Sequence, residues 1–320
     1  MHRVLITGLG GFVGRHLGGL LAQAGDREVF GSVMRADLGR ELPLPEDHIL
    51  ACDLLDAEAV TRLIETVRPG QIYHIAGVAE VGRSWEDPGP AYRVNVLGQL
   101  NLLQAVVAIC PDSRVLVVGS AGEYGLVRQS DCPIGEDHPL APADPYGVSK
   151  AAQDLMAQQY FLGYGTDIVR TRSFNHIGPG QSTGFLVGRV ARMVAEVEKG
   201  LREPVADFGD LSARRDFTDV RDVARAYQLL MERGVAGEAY NVCSGTAVPV
   251  EEVVRMAFAL GKVPIEFRIT PDRERPTDLP LLLGDNSKLR SVTGWEPIIP
   301  LEKSVSDAVE YARGDRLGEL

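Results

Sequence analysis

Thr7-Gly8-Leu9-Gly10-Gly11-Phe12-Val13-Gly14 lies between a short β-branched run, residues 4–7, and an apolar-periodic stretch from 12 to 24. Glycine at 8, 11 and 14 lets the backbone turn tightly, come close to a pyrophosphate and pack a helix against a strand. The first turn of that helix, Phe12 and Val13 included, then offers free amides and the positive end of its dipole to phosphate oxygens. A run of this spacing is often only a tight turn. Here it follows a strand and opens a helix, so a dinucleotide site on Gly8, Gly11, Phe12 and Val13 is expected.

Strand and helix go on alternating. Residues 28–33, 49–53, 71–75 and 114–120 read as strands, with helices at 57–67 and 90–109. Units of this length imply an α/β fold of the Rossmann kind, a parallel sheet wound on both faces. A sixth strand is expected at 167–172. Residues 174–184 then carry three glycines and a proline and read as a loop. Later elements are shorter: helices at 186–199, 219–233, 250–260 and 301–313, a strand at 238–242, and a Pro- and charge-rich loop at 271–280. The expected division is a dinucleotide-binding domain, 1–174 with 219–243, and a smaller α/β substrate domain, 175–218 with 244–320.

Composition agrees with two folded domains. The chain has 320 residues, 45% hydrophobic and 24% charged, against a typical ~150 residues per domain. A formal charge of −11 argues against nucleic acid or an anionic membrane as partner. An anionic substrate therefore needs a local cluster of arginines. Cys52, Cys110, Cys132 and Cys243 lie far apart with no CxxC pair, so neither a metal site nor a disulfide is expected. No apolar run approaches the ~20 residues of a membrane span, and MHRVLITGLGG reads straight into a strand rather than a signal segment. The cytoplasm is the expected compartment.

The tip of the second strand discriminates between cofactors. An NAD-selective site places an acid there to hold the ribose hydroxyls, but the chain reads Gly31-Ser32-Val33-Met34-Arg35. Arg35 suits a 2′-phosphate, which favours NADP(H) over NAD(H). The plainer alternatives are that Arg35 is a solvated surface charge and that Asp37 folds back in its place. Asp53, ending the third strand, is a partner for the adenine amino group or an N-cap for the next helix. Leu54 and Ala76 complete the residues expected to meet the cofactor.

Tyr146-Gly147-Val148-Ser149-Lys150 carries the sharpest chemical signal. Pro145 marks a helix start, so Tyr146 and Lys150 stand one turn apart on one face. A phenol of pKa ~10 is a poor acid–base group at neutral pH; an adjacent ammonium together with a bound nicotinamide cation is expected to draw it toward ~7, and Lys150 also suits the nicotinamide ribose. Such a pair is common on helices by chance. Ser120, however, ends the fifth strand, where a βα loop delivers groups to the ligand crevice. A carbonyl/alcohol redox site with Ser120, Tyr146 and Lys150 as catalytic residues is expected. Asn95, in the preceding helix, either supports the lysine through water or is a solvated helix residue.

These motifs resemble the extended short-chain dehydrogenase/reductase superfamily over essentially the whole chain. Within it, the second half resembles the GDP-mannose group of dehydratases and 4-keto-6-deoxy-sugar reductases. The likeness is carried by Arg172-Ser173-Phe174-Asn175-His176-Ile177-Gly178-Pro179-Gly180-Gln181, by Arg215-Asp216-Phe217-Thr218-Asp219-Val220-Arg221-Asp222-Val223, by Tyr240-Asn241-Val242-Cys243-Ser244-Gly245, by Arg275-Pro276-Thr277-Asp278-Leu279-Pro280 and by Thr293-Gly294-Trp295. It implies a GDP-linked sugar as substrate, with Asn175, Arg215 and Arg275 on the diphosphate and ribose, and Ser84, Glu123 and Arg189 among the substrate contacts. It also implies a homodimer paired through the helices at 90–109 and 145–163. Each arginine, read alone, is an ordinary surface ion-pair residue, and His176 reads as a backbone-bonded structural histidine.

Two departures bear on the reaction. Related dehydratases follow the catalytic serine or threonine with an acidic pair or a Ser-Glu pair; here Ala121 and Gly122 stand there, and neither transfers a proton. Glu123, one step on, is the sole substitute. Elimination is disfavoured, and reduction of a 4-keto sugar nucleotide, GDP-4-keto-6-deoxy-D-mannose to GDP-D-rhamnose, is the expected activity, with a dehydratase or epimerase as the alternative. Ala79 replaces a hydroxyl residue common in relatives, which leaves the hexose open.

Overall fold

The computed structural model describes residues 2–38, 41–269 and 279–314. In the first half, strands β1 (His2–Thr7), β2 (Arg27–Val33), β3 (Ile49–Ala51), β4 (Gln71–His74), β5 (Arg114–Ser120) and β6 (Ile168–Ser173) are interleaved with helices α1 (Phe12–Ala24), α2 (Ala57–Val67), α3 (Val81–Glu86), α4 (Gly89–Ala91), α5 (Gly98–Ile109) and α6 (Pro145–Tyr164). The second half adds β7 (Asn175–Ile177), α7 (Leu186–Glu198), β8 (Val205–Phe208), β9 (Arg214–Asp219), α8 (Val220–Arg233), β10 (Ala239–Val242), β11 (Ala247–Pro249), α9 (Val250–Ala259), β12 (Glu266–Ile269), β13 (Leu281–Leu282), α10 (Ser287–Thr293) and α11 (Leu301–Gly314).

Seven strands form one sheet in the order β10-β6-β5-β4-β1-β2-β3, every pair parallel. Covered on both faces, β1 and β5 carry continuous apolar stretches, VLI and VLVV, and β6 is buried along its whole length although it reads IVRTRS. The doubly wound Rossmann sheet expected from the alternation is therefore present. Chain order reverses between β1 and β4, so the carboxyl ends of β1, β4 and β5 open onto one crevice, the usual ligand position in such sheets.

α8 and β10 return to this sheet: Val220, Val223, Tyr227, Leu230, Tyr240 and Val242 share a core with Val4, Leu17 and Leu21 of the first strand and helix. Leu289 and Trp295, from a stretch assigned to the second domain, pack into the same core. α7, α9, α11 and β8 build a separate one around Val194, Val254 and Val309. Beside it, β7 pairs with β9 inside the stretch read as a loop. β8, β9 and β11–β13 escape sequence reading because runs of two to six residues carry too little periodicity, and β9 (RRDFTD) is polar by composition. The long helix expected at 90–109 has a π-helical turn at Tyr92–Leu97 within it.

Candidate active site

The glycine loop is shaped by contacts that allow no side chain. Gly8 has φ +77°, and a Cβ there would lie 2.8 Å from the Ala76 Cα. The amides of Gly8 and Leu9 both donate to the Ser32 carbonyl, at 3.0 and 3.1 Å. A Cβ on Gly14 would press on the Leu9 backbone at 2.9 Å. Gly11, the N-cap of α1, brings no capping side chain, and no acid stands in the first turn, so the helix's opening amides are left for an external acceptor. A cradle that a single methyl would fill, at a helix N-terminus, fits a dinucleotide pyrophosphate.

Around the cradle, the expected cofactor residues fall as follows. Ala76 borders Gly8 and donates its amide to Thr7 Oγ1 at 3.3 Å. Val13 is buried, and the Phe12 ring stacks on His176, centroids 6.0 Å apart. Arg35 is exposed on the turn after β2, while Asp37 folds back so that a Cβ on Gly10 would meet its own Cβ at 3.7 Å. Asp53 is exposed and accepts the Leu55 amide at 2.9 Å; it is not the helix cap, since Asp56 caps α2 through the Ala59 amide. Leu54 is buried beneath Gly98.

The chemical groups converge at the end of β5. Asp144 caps α6 by accepting the Gly147 amide at 2.8 Å, with Pro145 in the first helical turn. This starts the helix where Tyr146 comes beside Ser120, whose hydrogen bond draws the phenol pKa down, although burial is the larger influence and raises it. With the chain's own groups alone, the phenol stays protonated at neutral pH, the form that donates. Lys150, one turn on and buried, donates to the Val118 carbonyl at 2.9 Å. Burial pulls its pKa down to about 8, against the pull of Glu123.

Asn95 is fully buried in the π turn. Its oxygen accepts the Val78 amide at 2.8 Å and its amide donates to Ser149 Oγ at 2.8 Å, which excludes the solvated reading. A Cβ on Gly77 would lie 2.8 Å from the Asn95 oxygen and 3.4 Å from Lys150 Nζ. The two side chains flank one spot, without a direct bond between them in the hydrogen-bond pattern.

Two expected substrate residues are turned elsewhere. Glu123 has no exposed surface; its carboxylate accepts the Ser120 amide at 2.7 Å and lies 3.5 Å from Arg172 Nε. Ser84 is buried and gives its hydroxyl to the Val81 carbonyl of its own helix at 2.7 Å. In both cases a local acceptor or donor captures the group. Asn175 is exposed, bonded to the Asp216 carbonyl at 3.3 Å. Arg215 donates to the Leu279 carbonyl at 2.6 Å. Arg189 lines a cavity of about 250 Å³ with Thr183, Arg192, Met193, Glu196 and Arg202, and burial lowers its pKa. Arg275 lies outside the described residues. His176 bonds the Phe174 carbonyl at 3.2 Å, the structural role read from its motif.

Sequence reading missed the polar pair beneath the crevice: Thr7 Oγ1 and His74 Nδ1 lie 2.9 Å apart, and burial lowers the His74 pKa to about 3. A histidine ending an apolar strand was the only signal.

The family model for GDP-mannose 4,6 dehydratase matches residues 5–308. The chain belongs to that family. GDP-6-deoxy-D-mannose reductase of Pseudomonas aeruginosa is 34% identical over 303 residues, 95% of this chain and 94% of the relative. Among solved structures, RMD from Pseudomonas aeruginosa complexed with NADPH superposes with a TM-score of 0.86 at 32% identity, covering 98% of this chain and 99% of that one. The UDP-glucose 4-epimerase of Thermus thermophilus, in complex with NAD, does so with a TM-score of 0.84 at 32% identity, with coverage of 98% and 99%. This member of the GDP-mannose 4,6-dehydratase family is thus an NAD(P)-dependent oxidoreductase in its fold and its relatives.

Proposed function

We propose that the protein reduces the 4-keto group of a GDP-4-keto-6-deoxy-hexose, taking GDP-4-keto-6-deoxy-D-mannose to GDP-D-rhamnose, with NADPH preferred and NADH the second choice. What carries the choice of reaction is the surroundings of Ser120. Ala121 and Gly122 follow it, and Glu123 is turned inward onto Arg172. Elimination needs a further acid or base at that point; ketone reduction does not. The reductase name of the Pseudomonas aeruginosa relative and the NADPH in the RMD structure from that organism support the same reading.

A bound reduced nicotinamide supplies the hydride. The chain's own residues do the rest. The glycine loop and α1 hold the pyrophosphate, and Arg35 meets the 2′-phosphate. Ser120 orients the carbonyl oxygen and Tyr146, protonated at neutral pH, gives it a proton. Lys150 steadies the ribose and the charge left on the phenol. Asn175, Arg189, Arg215 and Arg275 grip the sugar nucleotide, residues 1–174 with 219–243 serving the cofactor and 175–218 with 244–320 the substrate. Adding a 4-keto sugar nucleotide should consume NADPH stoichiometrically, seen as loss of its absorbance. Turnover without net oxidation of the cofactor would move the assignment to a dehydratase or epimerase.

We also propose a homodimer. Val148, Leu155 and Leu162 repeat every seven residues on α6, and Leu155 and Leu162 are 56% and 73% exposed; Tyr92 and Leu97 add to the exposed apolar surface nearby in the fold. Light scattering should give twice the chain mass, and Leu155→Glu with Leu162→Glu should halve it. No described helix is long and apolar enough to cross a membrane; we propose the cytoplasm, which cell fractionation tests.

A further inference from the structure

On α7, Arg192 Nε donates to Glu196 Oε1 at 3.0 Å. A pair at this spacing is common on exposed helix faces and worth little there. Here, however, Arg202 brings Nη1 to within 3.6 Å of the second carboxylate oxygen. Arg189, one turn before Arg192, lies over the Phe208 ring at 5.7 Å and has no carboxylate partner among the described residues. All four side chains line one cavity of about 250 Å³, with the buried Met193 as its apolar lining. Three guanidiniums thus share a single carboxylate around a void, in a chain whose formal charge is −11. This is the local arginine cluster that so acidic a chain needs for an anionic substrate.

The cavity adjoins the groups proposed to hold the sugar nucleotide. Thr183, which also lines it, belongs to the segment that carries Asn175, and Arg189 is common to both. Arg192 and Glu196 follow Arg189 by about one and two turns of α7, about 5 and 10 Å along its axis. That is the span from a nucleotide's diphosphate to its base. The volume is below the ~300 Å³ at which sites for whole drug-sized ligands begin, and suits one flat ring system.

Bases differ in the edges they show. Guanine offers two acceptors, O6 and N7, which an arginine fork matches, and two donors, N1–H and the 2-amino group, which need an acceptor. Glu196 is the lone carboxylate among the described lining residues. Arg192 supplies its one hydrogen bond, whereas a carboxylate accepts about four. We propose that this cavity takes the base of the sugar nucleotide and that Glu196 selects guanine, accepting from N1–H and the 2-amino group while an arginine of the same cavity donates to O6 and N7. The inference rests on the reading of the substrate as a GDP-linked sugar and names the residue that reads its base.

Nucleoside diphosphates test this without cofactor or turnover. GDP and inosine diphosphate share the diphosphate, O6, N7 and N1–H, and differ only in the 2-amino group. Calorimetry should show the wild type binding GDP about tenfold tighter than inosine diphosphate, the worth of one charge-assisted hydrogen bond. In Glu196→Ala the two should bind alike. In Glu196→Gln, which keeps the length and one acceptor oxygen, the preference should fall to about threefold or less. A role limited to the charge of the cavity would move both affinities together and leave their ratio alone. A wild type that does not separate the two nucleotides overturns the proposal, as does an unchanged ratio in whichever variant folds. Failure of both variants to fold overturns it too, since Glu196 would then be an anchor of α7. Each of these outcomes leaves the GDP reading standing, whereas GDP bound no tighter than uridine diphosphate by the wild type removes that reading and the proposal with it.

Discussion

The side-chain amide of Asn95 donates to the hydroxyl of Ser149 at 2.8 Å, and that hydroxyl donates to the Tyr146 carbonyl at 2.7 Å. A π turn in one helix thereby holds the first turn of the next, where the Tyr146 phenol stands. The same asparagine clamps the Val78 backbone on both sides. Asn95→Ala leaves a buried amide and carbonyl unpaired, a loss of about 1–3 kcal/mol, and frees the Tyr146 turn. Urea unfolding should show that loss, and kcat should drop about tenfold with little change in KM.

Tyr146→Phe removes the proton donor and keeps the ring. Turnover should fall by about a hundredfold or more, while NADPH binding, followed by fluorescence titration, stays near wild type. Near-normal turnover would transfer the proton step to another group.

Activity should decline on the alkaline side with a midpoint near 8 in the free enzyme, where Lys150 loses its proton. The ammonium is present below that pH and lost above it, so kcat/KM falls as pH rises. A profile flat to pH 10 would mean that the lysine charge is not used.

Gly8→Ala places a methyl in left-handed backbone against Ala76. The strain alone is about 1–2 kcal/mol, and the collision widens the cradle. NADPH affinity should fall at least about tenfold, beyond what the lower thermal midpoint explains.

Arg35→Ala should raise KM for NADPH about tenfold, the loss of one charge-assisted contact of about 1.4 kcal/mol, and leave KM for NADH almost unchanged. Equal effects on both would point to Asp37, which lies against Gly10, as the residue that reads the ribose.

The sequence by itself determined the sheet, the glycine cradle and the Ser120, Tyr146 and Lys150 set, because each is encoded locally. An apolar run makes a buried strand, a glycine relieves one backbone position, and Pro145 with Asp144 starts one helix. The long motifs also marked the family over nearly the whole chain. Only the tertiary structure decided the direction in which side chains point and what they meet. Glu123 follows Ser120 by three residues yet faces Arg172, a strand away, because the tight turn after β5 aims it inward. Asn95 is buried by contacts with residues 17 and 54 positions distant, and β7 finds β9 some 40 residues on. Burial likewise outweighs the Ser120 hydrogen bond at Tyr146, since desolvation depends on everything packed around a group and not on its neighbours in the chain.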